Sequence, residues 1–301
     1  MEALKEKAKR YAHTDCNILI LGESGTGKEM MAQSIHNESD YRNGPFVAIN
    51  CAALPENLLE SELFGYEEGA FTGARRNGKE GLIELSNHGT LFLDEVGELS
   101  PSSQAKLLRF LEDRVIERVG DNKPLRLDVR VLAATNRDLR SLVAEGRFRE
   151  DLYYRLNIFE CRLPPLRERR EDILPLAQRF LRQAAGEKAV PVLSGEARDA
   201  LLVHAWPGNA RELRNVMERA LLLAEGSAVR RDDLPPALQG VGGAASGGAT
   251  ADETRILTLA EVEEAQIRKV LGLGVSMDKA AALLGITTVT LWRKRKELGL
   301  D

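Results

Sequence analysis

The stretch Gly22-Glu-Ser-Gly-Thr-Gly-Lys28 constrains this chain more than any other. An apolar, branched run (residues 17–22) precedes it, and a helical pattern (28–37) with Met30, Met31 and Ile35 on one side follows. Strand, glycine-rich turn and helix in that order make a phosphate-binding loop. The glycines let main-chain N–H groups close round phosphate, the helix N-terminus adds positive potential, and Lys28 reaches the outer phosphates. Further strand-like runs lie at 46–50, 90–94, 129–135 and 158–163, alternating with helical patterns at 55–64 and 102–112. That alternation predicts an α/β fold, a mainly parallel sheet covered on both faces.

Pro164-Pro165 breaks the alternation. From there the periodicity is helical, at 173–183, 195–204 and 209–224, until Pro235-Pro236 ends it. Residues 239–254 are Gly, Ala and Ser with almost no large apolar side chains, the composition of a flexible linker. The expected organisation is an α/β core over 1–163, a small helical domain over 164–238, a linker over 239–254 and an all-α domain over 255–301.

In that last domain Ser276 caps one helix, Gly285-Ile286 turns the chain, and Thr287 caps a second helix running to Leu298. Ala281, Gly285, Ile286 and Leu291 have helix-turn-helix spacing. The candidate DNA contacts are Thr287, Thr288, Thr290 and the basic run Arg293, Lys294, Arg295 and Lys296. The competing reading is a helical hairpin with a solvated basic face. The net charge of −4 supplies no global attraction to nucleic acid, so binding must rest on this local patch.

Other functions are disfavoured. Three cysteines, odd in number and far apart, read as buried thiols in a reducing cytosol. The four histidines have no metal-ligand spacing, so no zinc site is expected. No apolar run nears the ~20 residues that span a bilayer, and the charged N-terminus is not a signal peptide, which reads as a cytoplasmic protein.

Leu91-Phe-Leu-Asp94-Glu95 complements the phosphate loop by delivering two acids to the carboxyl edge of the sheet. Asp94 is expected to hold Mg²⁺ and Glu95 to polarise an attacking water. The alternative is two solvated acids before a turn. Glu29 stands where a hydroxyl residue usually ligates the magnesium. Asn136, ending the fourth strand, suits either a phosphate-sensing amide or ordinary turn chemistry. Arg149 and Arg155 suit either surface ion pairs or arginines reaching a neighbour's γ-phosphate. Gly69-Ala70-Phe71-Thr72-Gly73-Ala74 offers no proton-transfer chemistry. Small residues round one aromatic and one hydroxyl suit a loop that leaves the core and touches something else.

Taken in order, Gly22 to Glu29, Glu62-Leu-Phe-Gly65, Gly69 to Ala74, Gly89-Thr-Leu-Phe-Leu-Asp-Glu95 and Trp206-Pro-Gly-Asn-Ala-Arg-Glu-Leu213 closely resemble the AAA+ domain of bacterial enhancer-binding proteins. These are the sigma-54-dependent transcription activators of the nitrogen regulatory protein C class. The resemblance covers nearly the whole chain, and the Gly69 to Ala74 hexapeptide is highly specific to the family.

The resemblance implies an ATPase using ATP and Mg²⁺, held by Gly22, Glu23, Ser24, Gly25, Thr26, Gly27, Lys28, Glu29 and Asp94. Glu29 is the family's usual residue at its position. Asn50 is similar to the switch residue that holds Glu95 from water until γ-phosphate is sensed, and Asn136 to sensor I. Arg211, in what becomes a helical lid, is similar to sensor II. Arg149 and Arg155 match the paired trans arginines, which implies a ring with ATP between subunits, commonly hexameric and sometimes heptameric.

Phe71 and Thr72 would tip the loop that touches the sigma-54 RNA polymerase holoenzyme. The last domain resembles the factor-for-inversion-stimulation type, which binds enhancer DNA as a dimer. Residues 259–271, with Val262, Ile267, Val270 and Leu271, suit the dimer contact. Asn87-His88 and Arg295 depart from the family pattern. Many relatives carry an upstream receiver or sensory domain, whereas this chain starts almost at the ATPase. The expectation is a shortened chain or control by another protein, as by a sensor kinase in a two-component system. The competing functions are another AAA+ remodeller, such as a helicase or its loader, and a plain DNA-binding repressor. Neither needs the hexapeptide.

Overall fold

A computed structural model of the chain describes residues 2–70, 78–121, 123–187, 189–224, 227–239, 277–284 and 287–297. The chain divides into two compact units, Met1–Gly240 and Val241–Asp301.

The first unit opens with α1 (Glu2–Ala12) and then alternates strand and helix: β1 (Ile18–Leu21), α2 (Lys28–Asn37), β2 (Phe46–Asn50), α3 (Glu56–Phe64), α4 (Leu82–Leu85), β3 (Gly89–Asp94) and α5 (Pro101–Asp113). A hairpin of β4 (Val115–Ile116) and β5 (Leu125–Arg126) follows, then β6 (Val129–Thr135), α6 (Leu139–Ala144), α7 (Glu150–Leu156) and β7 (Phe159–Arg162). The five long strands pair in the order β2-β3-β6-β1-β7, every pair parallel.

Successive side chains of a strand point to opposite faces, and the strand sequences are apolar at both sets of positions. Leu19, Leu91, Leu93, Val131 and Ala133 pack with residues of α3, α5, α6 and α7. Ile18, Ile20, Phe92, Leu132, Ala134 and Cys161 pack with α1 and α2. The result is the three-layer α/β arrangement predicted above. The helices α1, α4, α6 and α7 and the short hairpin add to what the periodicity revealed.

Parallel register brings the strand ends to one edge. Asn50 pairs with Asp94 and Leu21 with Thr135. The Gly22 N–H donates to the Thr135 carbonyl at 3.3 Å, so the phosphate loop starts from the end of β6 as well as β1.

The helical part contains α8 (Ile173–Ala185), α9 (Gly195–Val203), α10 (Asn209–Leu223) and α11 (Pro236–Gln239), with β8 (Val192–Leu193) paired to β9 (Ala228–Val229). Its core gathers Ile173, Leu181, Leu201, Leu213 and Met217 round Trp206, which is fully buried. The Trp206 indole N–H donates to the Leu201 carbonyl at 2.9 Å, which satisfies its single polar atom.

In the second unit two helices are described, Met277–Leu284 and Thr288–Glu297, with Ala280, Ala281 and Leu291 buried. Thr287 caps the second of them: its hydroxyl accepts the Thr290 N–H at 3.2 Å. Ser276 and the 259–271 segment lie outside the described residues.

Candidate functional site

β1 is short and buried, so it delivers Gly22 to the sheet edge in a fixed position. The loop then takes left-handed conformations at Gly25 (φ 77°) and Gly27 (φ 101°), which favour glycine. Gly25 is also sterically required: a Cβ there would lie 2.4 Å from the Gly208 carbonyl oxygen and 3.0 Å from Arg211 Cβ. The Thr26 hydroxyl closes the loop by donating to the Glu23 carbonyl at 2.8 Å. Lys28 opens α2 and is buried. Its Nζ donates to the Gly22 carbonyl at 3.1 Å and lies 3.5 Å from Glu95 Oε1.

β3 ends in the two acids. Asp94 Oδ1 accepts the Glu95 N–H at 3.0 Å. Glu95 itself sits at φ 52°, an uncommon conformation for a residue with a Cβ, and one that functional sites often retain. Its carboxylate points back toward Lys28 and accepts the Asn136 main-chain N–H at 3.2 Å. Burial raises the Asp94 carboxyl above its ordinary range; Lys28 opposes the shift, while Glu95 and Glu29 reinforce it. Desolvated carboxylate oxygens of this kind suit a hard divalent cation such as Mg²⁺. Among the described residues no group of three or more His, Cys, Asp or Glu closes a metal site. Cys51, beneath the acids, is pushed up to about 12 by burial first and then by Asp94 and Glu95, so its thiol stays protonated.

Asn50 lines the same cavity, but its amide oxygen accepts the Ala52 N–H at 2.8 Å. Among the described residues no hydrogen bond joins Asn50 to Glu95. The Glu95 carboxylate is engaged elsewhere, by the Asn136 N–H and beside Lys28 Nζ. Asn136 meets Glu95 through its main chain.

The lid closes the site from the other side. A cavity of about 1090 Å³ is walled by the phosphate loop, Asn50, Asp94 and Glu95, by Arg169, Arg179 and Arg211, and by Ala8 and Lys9 of α1. Arg211, in the first turn of α10, donates to the Ser24 hydroxyl at 2.7 Å. Arg169 is buried and donates to the Thr26 carbonyl at 2.8 Å.

Asn209 joins three segments. Its Oδ1 accepts the Leu166 N–H at 2.7 Å, and its Nδ2 donates to Glu23 Oε2 at 3.1 Å and to the Ser24 carbonyl at 3.0 Å. It is fully buried with φ 53°. Asn209→Ala is expected to destabilise the first unit by about 1–3 kcal/mol, because buried donors and acceptors lose their partners. Urea unfolding checks this, and an unchanged midpoint would remove the joint from the account.

Arg167 forks Glu23 at 2.6 and 2.8 Å. That pair and Asn209 hold the Glu23 carboxyl at about 2, against an ordinary value of 4.5. The Glu23–Arg167 link is therefore complete above pH 4.5 and is lost as pH falls toward 2. Sequence reasoning singled out only Arg211 on this side. Asn209 was visible in the Trp206 to Leu213 stretch, but Arg167 and Arg169 carried no spacing signal.

The remaining candidates lie elsewhere. Arg149 pairs with Asp151 at 2.6 Å, and Arg155 donates to the Leu111 carbonyl at 3.2 and 3.1 Å. Neither lines its own chain's cavity. Gly69 and Ala70 are described, whereas Phe71, Thr72, Gly73 and Ala74 lie outside the described residues.

The loop's foot is well defined. Tyr66 pairs with Lys79 and with Val119, and Arg118 donates to Glu67 at 2.8 Å while forking Glu84 at 2.8 and 2.9 Å. The segment after β4 is thus fastened to the hexapeptide's stem, a contact sequence reasoning missed. In the second unit Thr287, Thr288, Thr290, Arg293 and Lys294 all fall on or just before one helix; Arg295 and Lys296 continue it.

Comparisons with known proteins match three parts of the chain. Residues 1–162 match the family described as the Sigma-54 interaction domain, 167–250 the AAA+ ATPase lid domain, and 258–298 the bacterial regulatory proteins of the Fis family. The chain is 48% identical over 302 residues to the alginate biosynthesis transcriptional regulatory protein AlgB of Pseudomonas aeruginosa, covering 100% of this chain and 66% of that protein. It is 44% identical over 307 residues to the regulatory protein AtoC of Escherichia coli, with the same 100% and 66% coverage. A crystal structure of NtrX from Brucella abortus superposes with a TM-score of 0.80 at 35% identity, covering 99% of this chain and 67% of that one. A second NtrX structure, in complex with ATP, gives 0.77 at 34%. The chain therefore spans about 66% of the length of these curated relatives.

Proposed function

This chain belongs to the bacterial sigma-54-dependent activator family, and we propose that it is an ATP-driven activator that converts the closed complex of sigma-54 RNA polymerase, at promoters marked by enhancer DNA, to the open one. The observation that carries the reading is the convergence of Lys28, Asp94, Glu95 and Arg211 on one cavity, in a chain whose neighbouring loop bears the hexapeptide.

In this reading the loop N–H groups and Lys28 hold the β- and γ-phosphates. Asp94, with Glu29 nearby, would hold Mg²⁺, which supplies charge neutralisation to the phosphate oxygens. Glu95 takes a proton from the water that attacks γ-phosphorus. Asn136 fixes the direction of that carboxylate, and Arg211 senses phosphate from the lid. Arg149 and Arg155 serve the site of the adjacent subunit, so the working form is a ring, hexameric or heptameric.

The stem at Tyr66, Lys79 and Val119 carries Phe71 and Thr72 toward the polymerase. The basic helix Thr288–Glu297 contacts DNA as part of a dimer. Two ATPase domains held on one DNA site meet at raised local concentration, which favours the ring. The protein works in the cytoplasm, under an upstream domain or a sensor kinase.

The test is transcription reconstituted with sigma-54 polymerase. Open complexes are expected with ATP and absent with a non-hydrolysable analogue. Opening with the analogue, or rapid hydrolysis that never opens the promoter, overturns the reading. Thr72→Ala separates motor from contact: hydrolysis is expected to persist while open complexes disappear. If that variant opens promoters as the wild type does, the loop is not the contact.

A further inference from the structure

Arg130 stands on β6 with 1% of its surface exposed, the most deeply buried charge among the described residues. It makes no ion pair among them, and its Nε has no hydrogen-bond partner there. Taking an unpaired charge out of water is costly, so the charge calls for another explanation.

Both terminal nitrogens supply it. Nη1 donates to the Ala12 carbonyl at 2.6 Å and Nη2 to the Tyr11 carbonyl at 2.7 Å. These are last-turn carbonyls of α1, which have no partner within their helix and carry its negative dipole end. Thr14 adds its N–H at 3.2 Å and its hydroxyl at 2.8 Å to the Tyr11 carbonyl. Stacking of Tyr11 on Phe159, with ring centroids 4.1 Å apart, fixes the same turn against β7.

One turn back along α1, Ala8 and Lys9 form part of the cavity wall, alongside Ile35, Leu176 and Phe180. The end of α1 thus hangs on a guanidinium buried in the sheet, and the middle of α1 faces the space proposed for nucleotide.

We propose that Arg130 is a positioning residue for nucleotide binding: by capping α1 it sets Ala8 and Lys9 as a wall of the cavity, and so governs affinity without touching nucleotide. This rests on the nucleotide-binding reading above. ADP binding by titration calorimetry, on the chain carrying Arg130→Met or Arg130→Lys, tests it.

Arg130→Met is expected to bind ADP about tenfold more weakly, with KM for ATP raised and kcat at saturation unchanged. Arg130→Lys, which keeps one donor, should fall between. A methionine variant that melts earlier yet binds ADP as tightly as the wild type reduces Arg130 to a structural role and overturns the proposal. Should the methionine variant fail to fold, hydrogen exchange on the wild-type chain decides. Slower exchange of α1 amides with ADP supports the proposal, and unchanged exchange overturns it. A wild-type chain that binds no ADP brings down the nucleotide reading itself, and with it this inference.

Discussion

Glu95→Gln is expected to bind ATP with near-wild-type affinity while kcat falls by about 10²–10⁴, the range for loss of a positioned general base. The substitution keeps size and shape. The glutamine oxygen can still accept the Asn136 N–H that Glu95 accepts at 3.2 Å. What disappears is the proton acceptor and the charge 3.5 Å from Lys28 Nζ. On the proposed reading phosphate contacts come from the loop and Lys28, so binding and turnover separate. ATP binding measured beside single-turnover hydrolysis gives both quantities. Turnover within about twofold of wild type, far outside the general-base range, would assign water activation to another group.

Arg155→Ala is expected to lose about 10³–10⁵ in kcat, the acceleration an arginine supplied in trans gives to phosphoryl transfer. Within its own chain Arg155 does no such work: it donates to the Leu111 carbonyl at the end of α5, away from the cavity. If it serves a neighbour, two dead variants should rescue each other. Mixed rings of Arg155→Ala and Glu95→Gln contain interfaces with an intact pocket on one side and an intact arginine on the other. Activity is expected to return on mixing, in proportion to such interfaces. A mixture as inactive as its parents, under conditions where subunits exchange, means that Arg155 does not act across the interface.

The parts of this molecule that read directly from sequence are those whose physics is local. The phosphate loop needs only β1, three glycines and Lys28 in succession. Asp94 and Glu95 follow from one apolar strand and its end, and the buried parallel strands from their branched, uninterrupted runs. Harder to read are contacts that join distant segments. Asn209 reaches Glu23 across 186 positions and Arg130 reaches Ala12 across 118, with no periodicity to announce either. The two-residue strands of the β4–β5 hairpin are too short to show alternation. That Glu95 is engaged by the Asn136 N–H and beside Lys28, rather than by Asn50, is likewise something residue identity alone does not disclose.

The triple junction at Asn209 has a mechanical corollary. Because that one amide ties the nucleotide-gripping turn, the crossover at Leu166 and the foot of the lid together, the hinge between the two lobes is stiff where most of the grip resides. In the ring proposed above, displacement released by γ-phosphate loss would then emerge elsewhere, at the faces between protomers or along the clasped stem beside Arg118.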